Sequence, residues 1–242
     1  MTGTTILYGG TGGIGSATAR KIAERGGRVH LVARDASRLT ALATEIQATW
    51  TAGDVSDPSL FERATREAAE PLTGLVYAVG TINLKSLGRL TEQDFLLDLR
   101  VNAIGAALAV QAAAPALKRS PKTSSVVLFS SVAARQGFSF HASTGMAKAA
   151  VEGLTVALAA ELAPKVRVNA IAPSLTRTGL ATGLLSNEQT ASAIASLHAI
   201  PRLGEPGDIA SLAAFLLSDE ADWITGQIVG VDGGRASVRT KG

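Results

Sequence analysis

Five glycines, Gly9, Gly10, Gly12, Gly13 and Gly15, follow the apolar run Thr5-Ile6-Leu7-Tyr8 and precede Ser16–Ala23, a stretch of helix-forming composition. A strand, a tight turn and a helix in that order bring bare backbone amides to a helix N-terminus, where the partial positive charge favours an anion such as a diphosphate. Taken alone, the same residues also describe a merely tight strand-to-helix corner. Arg34 ends the next β-like run, Arg28–Ala33, and Arg38 follows one helical turn later. At that place an acid accepts from a ribose 2′-hydroxyl and an arginine suits a 2′-phosphate, which favours NADP(H) over NAD(H). The plainer reading is two solvated arginines beside an Asp35 N-cap. Asp54, followed by Val55, stands where a third strand runs out, either to accept from an adenine amine or to form a turn.

Farther along, His141, Thr144 and Lys148 recur at helical spacing and share one face, so an imidazole and an ammonium point to the same side. Imidazole is the side chain that ordinarily exchanges a proton near neutral pH. The alternative is a surface histidine at a helix start. Asn102 interrupts a helix of small residues, and asparagine is a poor residue there unless it lies at the surface or its amide holds something.

The elements that must position these groups alternate. β-like runs at Arg28–Ala33, 50–55, 72–80, 125–131, 167–172 and 227–231 follow the first strand. Between them lie helical stretches opening at Asp35 and at Asp57-Pro58 (to about Glu70), then Thr91 to about Lys118, Ala142–Leu162 and Pro206–Leu217. Such alternation predicts an α/β fold with a parallel sheet of about seven strands and helices on both faces. No linker, repeat or shift of composition divides residues 1–242, so one domain is expected. The irregular segment at about 174–203, with a helix near 187–198, reads as a cover over a site and offers apolar side chains such as Leu180, Leu184 and Leu185. A basic tail after Gly234 reads as mobile.

Composition narrows the partners. A net charge of +3 with Lys and Arg scattered among acids gives no basic stripe for nucleic acid. There is no cysteine, and the three histidines are too far apart in sequence for a metal-ligand spacing, so no metal site is expected. Without a leader at Met1 or an unbroken span of roughly twenty apolar residues, the chain reads as cytoplasmic with no membrane partner.

Jointly, these residues resemble the short-chain dehydrogenase/reductase family over essentially the whole chain. The stretch Gly9-Gly10-Thr11-Gly12-Gly13-Ile14-Gly15 is similar to its Thr-Gly-x-x-x-Gly-x-Gly cofactor loop, with Tyr8 where Thr is usual. Asp54-Val55 fits the adenine contact. Gly80 fits the end of Asn-Asn-Ala-Gly, from which Tyr77-Ala78-Val79 departs. Pro173-Ser174-Leu175-Thr176-Arg177-Thr178 fits the segment that reaches the carboxamide, with Ser174 replacing glycine.

The resemblance implies a Rossmann-type doubly wound sheet, a nicotinamide dinucleotide, hydride transfer on a small carbonyl or alcohol, and homodimers or homotetramers built on the helices at 103–114 and 147–160. It further implies that Asn102 holds a relay water, Ser131 orients the substrate oxygen and Lys148 binds the nicotinamide ribose. The family's Tyr-x-x-x-Lys is absent: Thr144 stands four residues before Lys148, and the only tyrosines are Tyr8 and Tyr77. A threonine hydroxyl is far less acidic than a phenol. The expectation is that His141, or a water held by Ser131 and Thr144, supplies the proton. Alternatively the protein binds a dinucleotide as a sensor, scaffold or partner subunit with little activity, or reduces an enoyl-type substrate.

Overall fold

Seven short apolar strands hydrogen-bond in parallel in the order 3-2-1-4-5-6-7. The computed structural model describes residues 3–239. The first half of the chain runs β1 (Thr4–Tyr8), α1 (Gly13–Glu24), β2 (Arg28–Ala33), α2 (Ala36–Ile46), β3 (Thr49–Ala52), α3 (Ser59–Glu67) and β4 (Leu72–Tyr77). Then come α4 (Glu92–Leu99), a π-helical turn (Arg100–Ile104) and α5 (Gly105–Lys118), followed by β5 (Ser124–Phe129), α6 (Ala142–Leu162) and β6 (Val166–Pro173). The chain ends in α7 (Thr182–Leu185), α8 (Glu188–Ser196), α9 (Pro206–Leu217) and β7 (Ile228–Val231).

Side chains alternate across the sheet as the strand period of two requires. Leu75, Tyr77, Val126 and Leu128 pack with α3, α5 and α6 on one face. Val76, Val127, Phe129 and Ile171 pack with α1, α2 and α9 on the other. Both faces are therefore covered, which is why the strands read as continuous apolar runs. Strand order reverses between β1 and β4, and the crevice at that switch point is where open α/β sheets hold ligands.

Some boundaries differ from the sequence reading, each for a local reason. β4 stops at Tyr77, because Ala78 to Gly80 turn away toward the site. Pro58 is the N-cap of α3, one place before the first helical turn expected for it. The Thr91–Asp94 capping box is present at α4, but the helix continuing to Lys118 contains the π-turn, with Asn102 inside it. The 27-residue run Glu92–Lys118 is long and apolar enough to span a bilayer by composition, yet Ala106, Ala109, Val110 and Ala113 bury it on the sheet. The tail is pinned at its start, since Arg235 packs on Phe138; its last three residues, 240–242, lie outside the described residues, as does the start at Met1.

The covering segment is tied at its base. Thr176 bridges Gly204 in parallel, the Arg177 amide donates to the Gly204 carbonyl at 2.9 Å, and the Gly204 amide donates to the Leu175 carbonyl at 3.0 Å. His198, at the end of α8, meets the Ser174 hydroxyl through Nε2 at 2.8 Å.

Candidate active site

The glycine turn closes on itself. Gly9 has φ +77°, and a Cβ on Gly15 would stand 2.2 Å from the Gly9 carbonyl oxygen, so neither position accepts a side chain. Gly12 caps α1 without a side-chain bond, and Ser16 is the residue whose amide returns to the Gly12 carbonyl, at 2.8 Å. The amides of Gly13, Ile14 and Gly15 are thus the helix's open donors. Thr178 closes the other side, its Cγ2 lying 2.8 Å from where a Gly13 side chain would begin. Three open amides at a helix N-terminus, with backbone too close for any Cβ, fit the diphosphate of a dinucleotide.

Toward β2 the cradle becomes basic. Arg38 donates to the Thr11 carbonyl at 2.6 Å, while its own amide is capped by Asp35 at 3.1 Å. Arg34 is 82% exposed along its side chain and stands 3.8 Å from the Asp54 carboxylate. Asp54 accepts from the Ser56 amide at 2.8 Å, so the turn-forming role weighed for it is real; that bond, with the Arg34 charge, holds its carboxyl below the usual range. Val55 packs on the core beside it.

From the cradle a cavity of about 350 Å³ runs under the covering segment. Ile14, Gly80, Pro173, Thr176 and Thr178 line it together with Ser131, His141, Thr144 and Lys148. Ser131 follows β5; its Oγ accepts from the Ala133 amide at 3.1 Å, which leaves its proton to donate elsewhere. Lys148 is buried and donates to the Phe129 carbonyl at 2.9 Å. Burial pushes its ammonium down to about 8, against the attraction of Asp98. His141 bonds the Ser139 carbonyl through Nδ1 at 2.8 Å. A carbonyl only accepts, so Nδ1 carries the proton of that bond and Nε2 is the exchanging atom.

Two expectations change here. Thr144 lines the cavity, but its hydroxyl is engaged: it accepts from the Asn83 amide and donates to the Asn83 carbonyl, both at 3.2 Å, so it is poorly free to hold a water for a substrate. Asn102 is absent from the cavity lining. It is buried one layer behind, donating to the Thr81 hydroxyl and to the Asp98 carbonyl at 2.8 Å each. Its Oδ1 and the Lys148 ammonium nonetheless face one space, 2.9 and 3.2 Å from where a Gly80 side chain would start.

A family model described as enoyl-(acyl carrier protein) reductase matches residues 9–236. A short-chain type dehydrogenase/reductase from Mycobacterium ulcerans superposes with a TM-score of 0.92 at 29% identity, covering 99% of this chain and 91% of that one. The chain is a short-chain dehydrogenase/reductase. A tropinone reductase homolog of Arabidopsis thaliana is 33% identical over 241 residues, covering 96% of this dehydrogenase/reductase and 91% of the relative. An actinorhodin polyketide ketoreductase variant, solved with NADPH, superposes with a TM-score of 0.90 at 26% identity over 97% of each chain. As a member of this family the protein is an oxidoreductase that binds a nicotinamide dinucleotide.

The dehydrogenase/reductase carries three residues that sequence reasoning missed. Asp98, fully buried on α4, accepts from Thr81 at 2.6 Å and faces the Thr144 hydroxyl at 3.5 Å, so a carboxylate stands directly behind the position of the replaced tyrosine. Tyr77 donates to the Val101 carbonyl at 2.7 Å, a group that the π-turn presents. That bond fixes the turn that holds Asn102. The third is Arg235. An acid flanked by Leu96, Leu97 and Leu99 in the apolar second half of α4 was the available signal for Asp98.

Proposed function

We propose that this protein binds NADP(H) in preference to NAD(H) and interconverts a small, largely apolar carbonyl compound and its alcohol. The convergence of Ser131, His141 and Lys148 on one apolar cavity continuous with the Gly9–Gly15 turn carries this reading. Arg34 and Arg38 favour the 2′-phosphate, in keeping with the NADPH in the related ketoreductase structure. The turn amides, Lys148, Thr176 and Thr178 would hold the dinucleotide, which would supply or accept hydride when bound.

The chain's own residues do the rest. Ser131 donates to the substrate oxygen as negative charge grows on it. His141 delivers the proton from Nε2 during reduction and takes it back during oxidation. Asn102 and Lys148 order the cofactor side, and Leu180, Leu184, Ile194 and Leu197 of the covering segment exclude water. Exposed Ile104 and Val156 on the helices named above favour a homodimer or homotetramer, and we place the protein in the cytoplasm as one domain.

The engaged Thr144 hydroxyl favours a second reading, a dinucleotide-binding protein without turnover. Parallel calorimetric titrations with NADPH and NADH, followed by NADPH oxidation against a panel of neutral and acidic ketones, separate the two. Expected are NADPH affinity at least about tenfold tighter than that for NADH, and oxidation that needs a ketone. Binding with no oxidation across the panel leaves the second reading, and binding of neither nucleotide overturns both.

A further inference from the structure

Beyond β7 the chain turns sharply at Asp232 and two glycines of positive φ, Gly233 and Gly234. The Asp232 carboxylate accepts from the amides of Gly234 and Ala236, each at 2.9 Å. This hydrogen-bonded turn delivers Arg235 to the cavity wall. There the guanidinium lies over the Phe138 ring, 5.3 Å from its centroid, and Phe138 in turn meets His141 at a tilt of 52° with ring centroids 5.3 Å apart.

The charges around Arg235 are one-sided. Among the described residues no Asp or Glu lines the cavity; its charged or titratable members there are Lys148, His141 and Arg235. Lys148 is committed to the Phe129 carbonyl. Arg20, Arg34, Arg119, Arg135, Arg177 and Arg202 each have a carboxylate within 4.0 Å. Among the described residues Arg235 has none, like exposed Arg25 and Arg66, but of these three it alone lines the cavity. Arg235 is partly buried in an apolar wall, where Phe138 supports the face of its guanidinium and an anion would answer its N–H groups. A planar fork of N–H groups held by a hydrogen-bonded turn suits two carboxylate oxygens at once.

We propose that Arg235 forms an anion subsite, so that the substrate is a mainly apolar ketone or alcohol bearing a carboxylate away from its reacting carbon. The proposal rests on the oxidoreductase reading above for the reaction, although the subsite itself is a matter of binding. The remaining source of the same chemistry is a phosphate of the cofactor.

The test loads the protein with NADPH and titrates it with straight-chain methyl ketones ending in a carboxylate, each paired with its methyl ester. The best acid is expected to bind about tenfold tighter than its ester. Arg235→Gln should erase that difference, while Arg235→Lys, which keeps the charge but loses the fork, should keep part of it. Equal binding of acids and esters, or no binding of any acid, overturns the subsite; if esters are still turned over, the oxidoreductase reading survives it. Weakening of NADPH binding itself by Arg235→Gln also overturns it, in favour of a cofactor phosphate. Acid binding that depends on Arg235 without NADPH oxidation supports the subsite and removes the oxidoreductase reading.

Discussion

The Thr144 hydroxyl sits 3.2 Å from both the amide nitrogen and the carbonyl oxygen of Asn83, bridging α6 to the loop after β4. The bridge explains how a short side chain is tolerated beside Lys148: it braces the cavity wall instead of reaching into it. Thr144→Val preserves shape but strands both Asn83 groups. It should cost about 1–3 kcal/mol in chemical denaturation, with Thr144→Ser close to the parent. Neither change should move the pH profile of turnover; a moved profile would put Thr144 in the proton path.

His141→Ala removes the imidazole from the cavity while leaving the Ser131 donor in place. Reduction should slow by about a hundredfold or more, a typical contribution of a positioned acid. In the parent, an acid must be protonated to give its proton, so reduction that depends on His141 slows as pH rises. The variant should lose that limb of the profile, which steady-state rates across a pH series would reveal.

Lys148 makes stability depend on pH in the cofactor-free protein. Its folded value of about 8 lies below the ordinary 10.5. Between those two values the unfolded chain still holds a proton that the folded chain has released, so stability rises with pH across that window. Below about 8 the lysine is charged in both states and the full cost of burying it is felt. Lys148→Met should flatten the rise in urea midpoints and raise stability at neutral pH. Asp98→Asn, by removing the attraction that opposes the shift, should start the rise at lower pH.

Tyr77 and Gly105 should prove coupled. A Cβ at Gly105 would lie 2.1 Å from the Tyr77 hydroxyl oxygen, so Gly105→Ala has to push the phenol off the Val101 carbonyl. Helix propensity alone would favour alanine by about 1 kcal/mol, whereas overpacking should destabilise by about 1–3 kcal/mol. Adding Tyr77→Phe to Gly105→Ala should recover part of the loss. Additive losses in a double-mutant cycle would refute the coupling.

Local signals carried much of the fold. β2 lies where Gly26-Gly27 and Arg34-Asp35 bracket it, α6 runs from Ala142 to Leu162 as composition suggests, and α9 starts at Pro206. What local signals could not carry was whatever depends on distant partners. Asp98 is satisfied by Thr81 and Thr144, 17 and 46 residues away in the chain, and its burial has no periodic signature. The π-turn is anchored by Tyr77, 24 residues from Val101. Thr144 could be seen to replace an acid, but its new partner could not, because the bond is to the Asn83 backbone. Arg235 looked like part of a tail because its neighbours are polar and small, and only the cavity gives it an address.

The covering segment leaves β6 and returns to α9 through a clasp made of the Thr176–Gly204 bridge, the Ser174–His198 contact and the Ile200 amide donating to the Gly233 carbonyl at 2.9 Å. Both strands of the clasp belong to the scaffold, and everything between them hangs from it like a detachable lobe. The part of it beyond Thr178 can therefore be exchanged for that of another family member, while Thr178 stays in place because it closes the nucleotide cradle on Gly13. Substrate preference is in this sense a cartridge: it can be swapped, lengthened or randomised as one piece, with Arg235 left behind on the frame as the fixed point against which each new lobe has to be matched.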